Sequence, residues 1–222
     1  STDGGTTATN ATISGSGSYN AVAVSANGSK VLAARGTQLF AYTGSAWSAA
    51  LSIPALSWSS VASSANGTNL VAVASGDKVH VSTNSGTTWT AVGAARDWEA
   101  VTSSADGMKL AGAVYNGLIY TTTDGGTNWT TRGSVNRYWT SIASSADGTK
   151  LAATEVNGLI YTSDDSGATW TARESARAWS SISMSADGKL LLAGVLGGKL
   201  YYSDDSGVSW SAKDEVRVWG SV

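Results

Sequence analysis

The stretch WTSIASSADGTKLAATEVNGLIYTSDDSGATWTAR, residues Trp139–Arg173, decides the fold. It opens on small and β-branched residues, Trp139-Thr-Ser-Ile-Ala-Ser-Ser, which suit a pleated strand. Ser145-Ala-Asp-Gly148 comes next. An Asx-Gly pair is a strong hairpin signal, because glycine accepts positive φ without steric cost and Asx tolerates it. A second short run ends in the turn Glu155-Val-Asn-Gly158, and a third, Leu159-Ile-Tyr-Thr, ends in the polar loop that begins at Ser163. A fourth strand opens on Trp170.

The same unit recurs along the chain. Tryptophans stand at 58, 98, 139, 179 and 219, in steps of 40, 41, 40 and 40, and a second series stands at 47, 89, 129, 170 and 210. The first turn reads Ser-Ala-Asn-Gly at 25–28 and 64–67, and Ser-Ala-Asp-Gly at 104–107, 145–148 and 185–188. Four strands in a period of about 40 residues are the signature of a propeller blade. The reading is therefore all-β: one domain over 1–222, a five-bladed β-propeller of four-stranded antiparallel blades. The units run over about 19–57, 58–97, 98–138, 139–178 and 179–218. Residues 1–18, with a strand over Thr7–Ile13, and 219–222 read as closing strands, the ring being closed by pairing of the termini.

The loop before the second tryptophan, Ser163-Asp-Asp165-Ser-Gly167-Ala-Thr169-Trp170, and its copy Ser203-Asp-Asp205-Ser-Gly207-Val-Ser209-Trp210 resemble the Asp-box, Ser-x-Asp-x-Gly-x-Thr-Trp. Thr122–Trp129 matches with Thr first, Ser82–Trp89 carries Asn84 for the aspartate, and Tyr42–Trp47 is a shortened copy without it. The resemblance is to the BNR/sialidase-type and photosystem-II-assembly-factor-like propellers. It implies the fold over nearly the whole chain, with the boxes on the face opposite the usual ligand site. It says little about activity, since turn chemistry accounts for every residue type in the box. Sialidases of this kind carry an arginine triad, a Phe/Tyr-Arg-Ile-Pro segment and a Tyr/Glu nucleophile pair. This chain has a single proline, Pro54 in Ser-Ile-Pro-Ala, and its arginines repeat equivalently, so no enzyme is expected.

Composition narrows the partners. Charged residues are 14% and the net charge is −2, so no global field draws the chain to nucleic acid. There is no cysteine, which excludes disulfides and thiolate metal sites. No apolar run approaches the roughly 20 residues of a membrane span. High Ser/Thr content, low charge, a Ser1 start and sequons at Asn10, Asn27, Asn66 and Asn128 point to a secreted, extracellular or periplasmic mature protein. No cofactor or metal is implied, and the lone His80 occupies the third-strand position of Phe40, Tyr120, Tyr161 and Tyr201. Arg132, Arg173 and Lys213 on outer strands read as guards of exposed sheet edges.

Candidate binding residues follow from Arg-x-Trp, found at Arg96–Trp98, Arg137–Trp139, Arg177–Trp179 and Arg217–Trp219, with an aromatic but no arginine at Trp58 and Tyr19. Residues two apart on a strand share a face, so guanidinium and indole together would suit a sugar, stacking its apolar side and donating to its hydroxyls. The competing reading makes these tryptophans wedges between blades, with exposure of the indoles as the discriminator. Tyr115 and Glu155, with Asn116 and Asn157, sit in the variable second turns at the same end, where Asx chemistry also explains the two asparagines. The expected function is a carbohydrate-binding, lectin-like propeller with several similar sites for glycans or a glycosylated surface. The alternatives are a protein-binding scaffold on the same face and one anionic ligand on the axis among Arg96, Arg137, Arg177 and Arg217.

Overall fold

The computed structural model describes residues 18–49, 53–217 and 219–222. The expected closing strand within 1–18 lies, apart from Ser18, outside the described residues. No helix occurs among the described residues, and every strand pairing is antiparallel. Strands β1 (Tyr19–Val24), β2 (Val31–Arg35), β3 (Gln38–Tyr42) and β4 (Trp47–Ala49) form one four-stranded meander. β5 (Trp58–Ser63), β6 (Leu70–Ala74), β7 (Asp77–Ser82) and β8 (Thr90–Arg96) form the second.

The remaining strands are β9 (Trp98–Ser103), β10 (Leu110–Thr122), β11 (Thr130–Ser144), β12 (Leu151–Ser163), β13 (Thr171–Met184), β14 (Leu191–Val195), β15 (Gly198–Ser203) and β16 (Ser211–Arg217), joined in one ladder. The ladder is continuous because β10 to β13 are double. β11, for instance, pairs β10 through Thr130–Tyr138 and β12 through Trp139–Ser144. The second turn of each repeat needs a left-handed residue. Gly36, Gly76 and Gly197 supply it in the first, second and fifth repeats, and Asn116 (φ 50°) and Asn157 (φ 53°) in the third and fourth. Both asparagines thus have the turn role.

The Ser-Ala-Asx-Gly turns are built by their own side chains. Ser145 Oγ donates to Asp147, Asp147 accepts from the Thr149 N–H, and Ser145 Oγ accepts from the Lys150 N–H. The same turns tie each repeat to the next through the alanine backbone. The N–H of Ala26 donates to Ala65 O, Ala65 to Ala105, Ala105 to Ala146 and Ala146 to Ala186, at 2.7–2.8 Å. Such close approach requires glycine at the corner. At Gly148 (φ 69°) an added Cβ would lie 2.8 Å from Lys109 Cβ.

At the same end the Asp-box loops are self-contained. Asp165 accepts from Ser163 Oγ and from the N–H and Oγ of Thr169, at 2.6–2.8 Å. Asn84 does the same work by accepting the Thr88 N–H and donating to Thr88 Oγ. The second tryptophan is fastened back where Trp89 and Trp210 donate to Gly86 and Gly207 carbonyls. The cores lie between repeats: Leu32, Ala34 and Leu39 of the first pack on Trp58, Val61, Leu70 and Ala72 of the second, and Val71, Val73 and Val79 pack on Trp98, Val101 and Leu110.

Candidate functional site

The end of the repeats opposite the Asp-boxes collects the predicted residues and corrects the sugar-stacking reading. Trp58, Trp98 and Trp179 are 1% exposed and Trp139 is 5%. They are the wedges between repeats, with no free indole face for a sugar ring. The physical reason is that Trp and the hydrophobic residue three positions on, Val61, Val101, Ile142 or Ile182, both enter the core packed on the preceding repeat. Trp219 is half-buried. It lies against Gly194, and its carbonyl accepts from Ser180 Oγ at 2.6 Å, as that of Trp98 accepts from Ser59 at 2.8 Å. Tyr19, by contrast, is 55% exposed.

Arginine is explained by the third strand. Each inner tryptophan meets the third-strand ring of its own repeat edge-on: Trp58 with His80, Trp98 with Tyr120, Trp139 with Tyr161 and Trp179 with Tyr201, at 5.1–5.6 Å. Arg96, Arg137 and Arg177 then lie over Tyr120, Tyr161 and Tyr201 at 4.1, 4.3 and 4.4 Å. The order is guanidinium, phenol, indole, from outside to core, a stack that gains from the negative face of the ring. In the first repeat Arg35 covers Phe40 at 4.6 Å. In the second the ring is the ionisable His80 and Leu56 stands in the arginine's place, packed into the core. An arginine therefore lies over each of these Phe and Tyr rings, and leucine takes its place in the repeat that has the imidazole. Arg217, exposed at the end of β16, has the same register, opposite Gly198 as Arg137 is opposite Gly117.

Two arginines are also ion-paired. Arg137 Nη1 is 3.1 Å from Glu155 Oε2, and the Tyr161 hydroxyl donates to that oxygen at 3.4 Å. Burial of Tyr161 pushes its phenol up, so this is a neutral donor and not a nucleophile. Arg177 Nη2 is 3.1 Å from Glu174 Oε1, where Glu174 holds a left-handed φ of 54°. No sequence signal marked Glu174, because a strand irregularity brings it back to the arginine. Arg96, Arg137 and Arg177 are thus distributed among three separate stacks. Between the third and fourth repeats Arg137, Tyr161, Trp139 and Trp170 wall a cleft of about 220 Å3. Trp170 Nε1 is buried beside it without a partner.

At the same end lies a feature the sequence reading half-missed. Tyr115 and Tyr138 pair in register across β10 and β11, their rings 5.3 Å apart at 64° and exposed by 50% and 45%. Tyr138 adjoins Arg137 in the chain. In the second repeat the same pair of positions is Ser75 and Asp97, hydrogen-bonded at 2.9 Å. Comparing repeats column by column would have found Tyr138. Among the described residues no group of three or more His, Asp or Glu could hold a metal ion, and no helix is long and apolar enough to cross a membrane.

No protein-family model matches the chain, and no curated protein sequence matches it significantly. Solved structures do. It is similar to the GH74 enzyme of Niastella koreensis at TM-score 0.72 and 22% identity, over 89% of this chain and 31% of that one. It is similar to YCF48 from Cyanidioschyzon merolae at TM-score 0.65 and 19% identity, over 89% and 70%. YCF48 bound to D1 peptide matches at TM-score 0.65 and 16% identity, over 89% and 68%. The chain thus spans about a third of the GH74 enzyme. At these identities the likeness establishes a β-propeller fold.

Proposed function

We propose that this chain is a non-catalytic binding propeller whose working face is the arginine end, and that it holds an extended peptide segment of a partner protein there. The observation that carries this reading is the exposed Tyr115–Tyr138 pair at the arginine end, where the inner tryptophans are buried. Half-exposed tyrosines next to a partly paired arginine offer the aromatic anchors and donors on which interfaces concentrate their energy. The solved complex of YCF48 with a peptide supports the class of partner. A glycan is the second reading, favoured by the same tyrosine rings with Arg137 as donor, and a secreted or periplasmic location suits either.

The five repeats are, in this reading, five blades, and the ring closes through the terminal segments. Val22 is 63% exposed, whereas its equivalents Val61, Val101, Ile142 and Ile182 are 5–7% exposed, so closure would bury a face built for contact. The discriminating experiment screens the chain on a peptide array and a glycan array, with Tyr115→Ala/Tyr138→Ala as the comparison. Loss of about 2 kcal/mol or more of peptide affinity with an unchanged melting temperature supports the reading. Binding that survives the double substitution would place the site elsewhere.

A further inference from the structure

The two ends of each repeat differ, and the Asp-box end contains grooves between consecutive repeats. The groove between the first and second repeats is closed, and that between the third and fourth holds about 20 Å3. The equivalent groove between the second and third holds about 290 Å3.

Its openness follows from the residues. Arg132, expected to guard a sheet edge, instead lies in the groove between the third and fourth repeats. Its Nε donates to Thr121 Oγ1 at 2.7 Å and its stem lies beside Gly167. Arg173 repeats the bond to Thr162 at 3.0 Å. Between the second and third repeats these two positions are Val92 and Val81, which are too short to fill the space and carry no polar atom. Two further positions widen it. Where Lys30 bridges to Ser85 at 2.9 Å and closes the first groove, the third-repeat side has Gly125 and the second-repeat side has Asn69.

The result is an apolar floor of Val71, Val81, Val92 and Leu110, with Met108 at the rim as an adaptable, 43% exposed cover. No floor residue is charged. The rim carries the Asp124 carboxylate, already satisfied by Thr122 and Asn128. An apolar cavity of about 150 Å3 takes up benzene. From its volume, its uncharged floor and the anionic rim, we propose that the groove between the second and third repeats is a binding site for a small, uncharged, mainly apolar molecule of one or two rings. The site lies at the opposite end from Tyr115 and Tyr138 and is independent of them.

The test uses 2-naphthol as the probe, with isothermal calorimetry and thermal shift as readouts. The folded chain is expected to bind one equivalent saturably, and the anionic 2-naphthoate at least tenfold more weakly. Val81→Thr/Val92→Arg copies the Thr121–Arg132 pair into the groove and should abolish binding while the far-ultraviolet circular dichroism is kept. Gly125→Ser, at a position whose equivalent Ser166 holds the same left-handed φ, narrows the groove and serves if the double variant does not fold. Conversely, Thr121→Val/Arg132→Val combined with Lys109→Asn/Ser166→Gly, which copies all four positions, should raise the stoichiometry to two. Absence of saturable binding to the unmodified chain, or binding indifferent to filling the groove, overturns the proposal.

Discussion

Replacing Trp139 by phenylalanine should cost the fold more than the same replacement at Trp179. Both indoles are core wedges, 5% and 1% exposed, and each meets a tyrosine edge-on, so the loss of ring contact is a shared cost. The difference is the indole N–H. That of Trp139 donates to the buried end of the second turn, Gly117 O, at 3.0 Å. That of Trp179 is buried without a partner. Phenylalanine at 139 removes a hydrogen bond and orphans a carbonyl, whereas at 179 it removes an unsatisfied donor. The two effects separate the variants by about 1–3 kcal/mol. Trp58, donating to Thr37 O at 3.2 Å, should behave like Trp139, and Trp98, also unpartnered, like Trp179. Guanidinium unfolding followed by circular dichroism gives the four values, compared at equal m. Costs at Trp98 and Trp179 equal to or above those at Trp58 and Trp139 would refute the reasoning.

Acid should weaken the fold over a defined range. Hydrogen bonds from Thr122, Thr169 and Ser209 hold Asp124, Asp165 and Asp205 at about 2, below 3.8, so their stabilisation is complete above about pH 4 and lost as pH falls toward 2, with Asp165→Asn flattening the profile measured by thermal melts. His80 is pushed down by burial, so the fold favours neutral imidazole and loses stability as pH falls below 6.5; His80→Phe should remove that slope between pH 7.5 and 5.5. Gly148→Ala should cost well over the about 1 kcal/mol of left-handed strain, because its Cβ would meet Lys109, whereas Gly197→Ala, open around its Cβ, should cost only that strain in denaturant titrations. Deleting Trp219–Val222 uncovers Gly194 and leaves Ser180 Oγ with only its longer bond to Gly194 O, and should lower the melting temperature by several degrees; an unchanged value would show that this segment does not hold the last repeat.

The repeat and its turns were legible because their causes are local. Ser145, Asp147 and Gly148 make their turn from their own side chains and φ values, and Ser163 to Trp170 do the same, so periodic spacing of such motifs reads directly as a periodic meander. The site was less legible. Arg137 and Trp139 were read as partners on one face, yet the guanidinium lies on Tyr161, 24 positions along the chain, and the indole lies beneath it. The open groove was written in the substitution of Val92 for the position of Arg132, but its meaning needed the knowledge that Arg132 turns inward to Thr121.

What the chain determined by itself is the repeated strand–turn chemistry, since hairpin register, Asx turns and glycine φ are set within a few residues. What only the tertiary structure decided is which aromatic is wedge and which is surface, and where space is left between repeats. Both are properties of the contact between neighbouring repeats, where the burial of Trp58, Trp98, Trp139 and Trp179 and the exposure of Tyr115 and Tyr138 are settled by what packs opposite each ring.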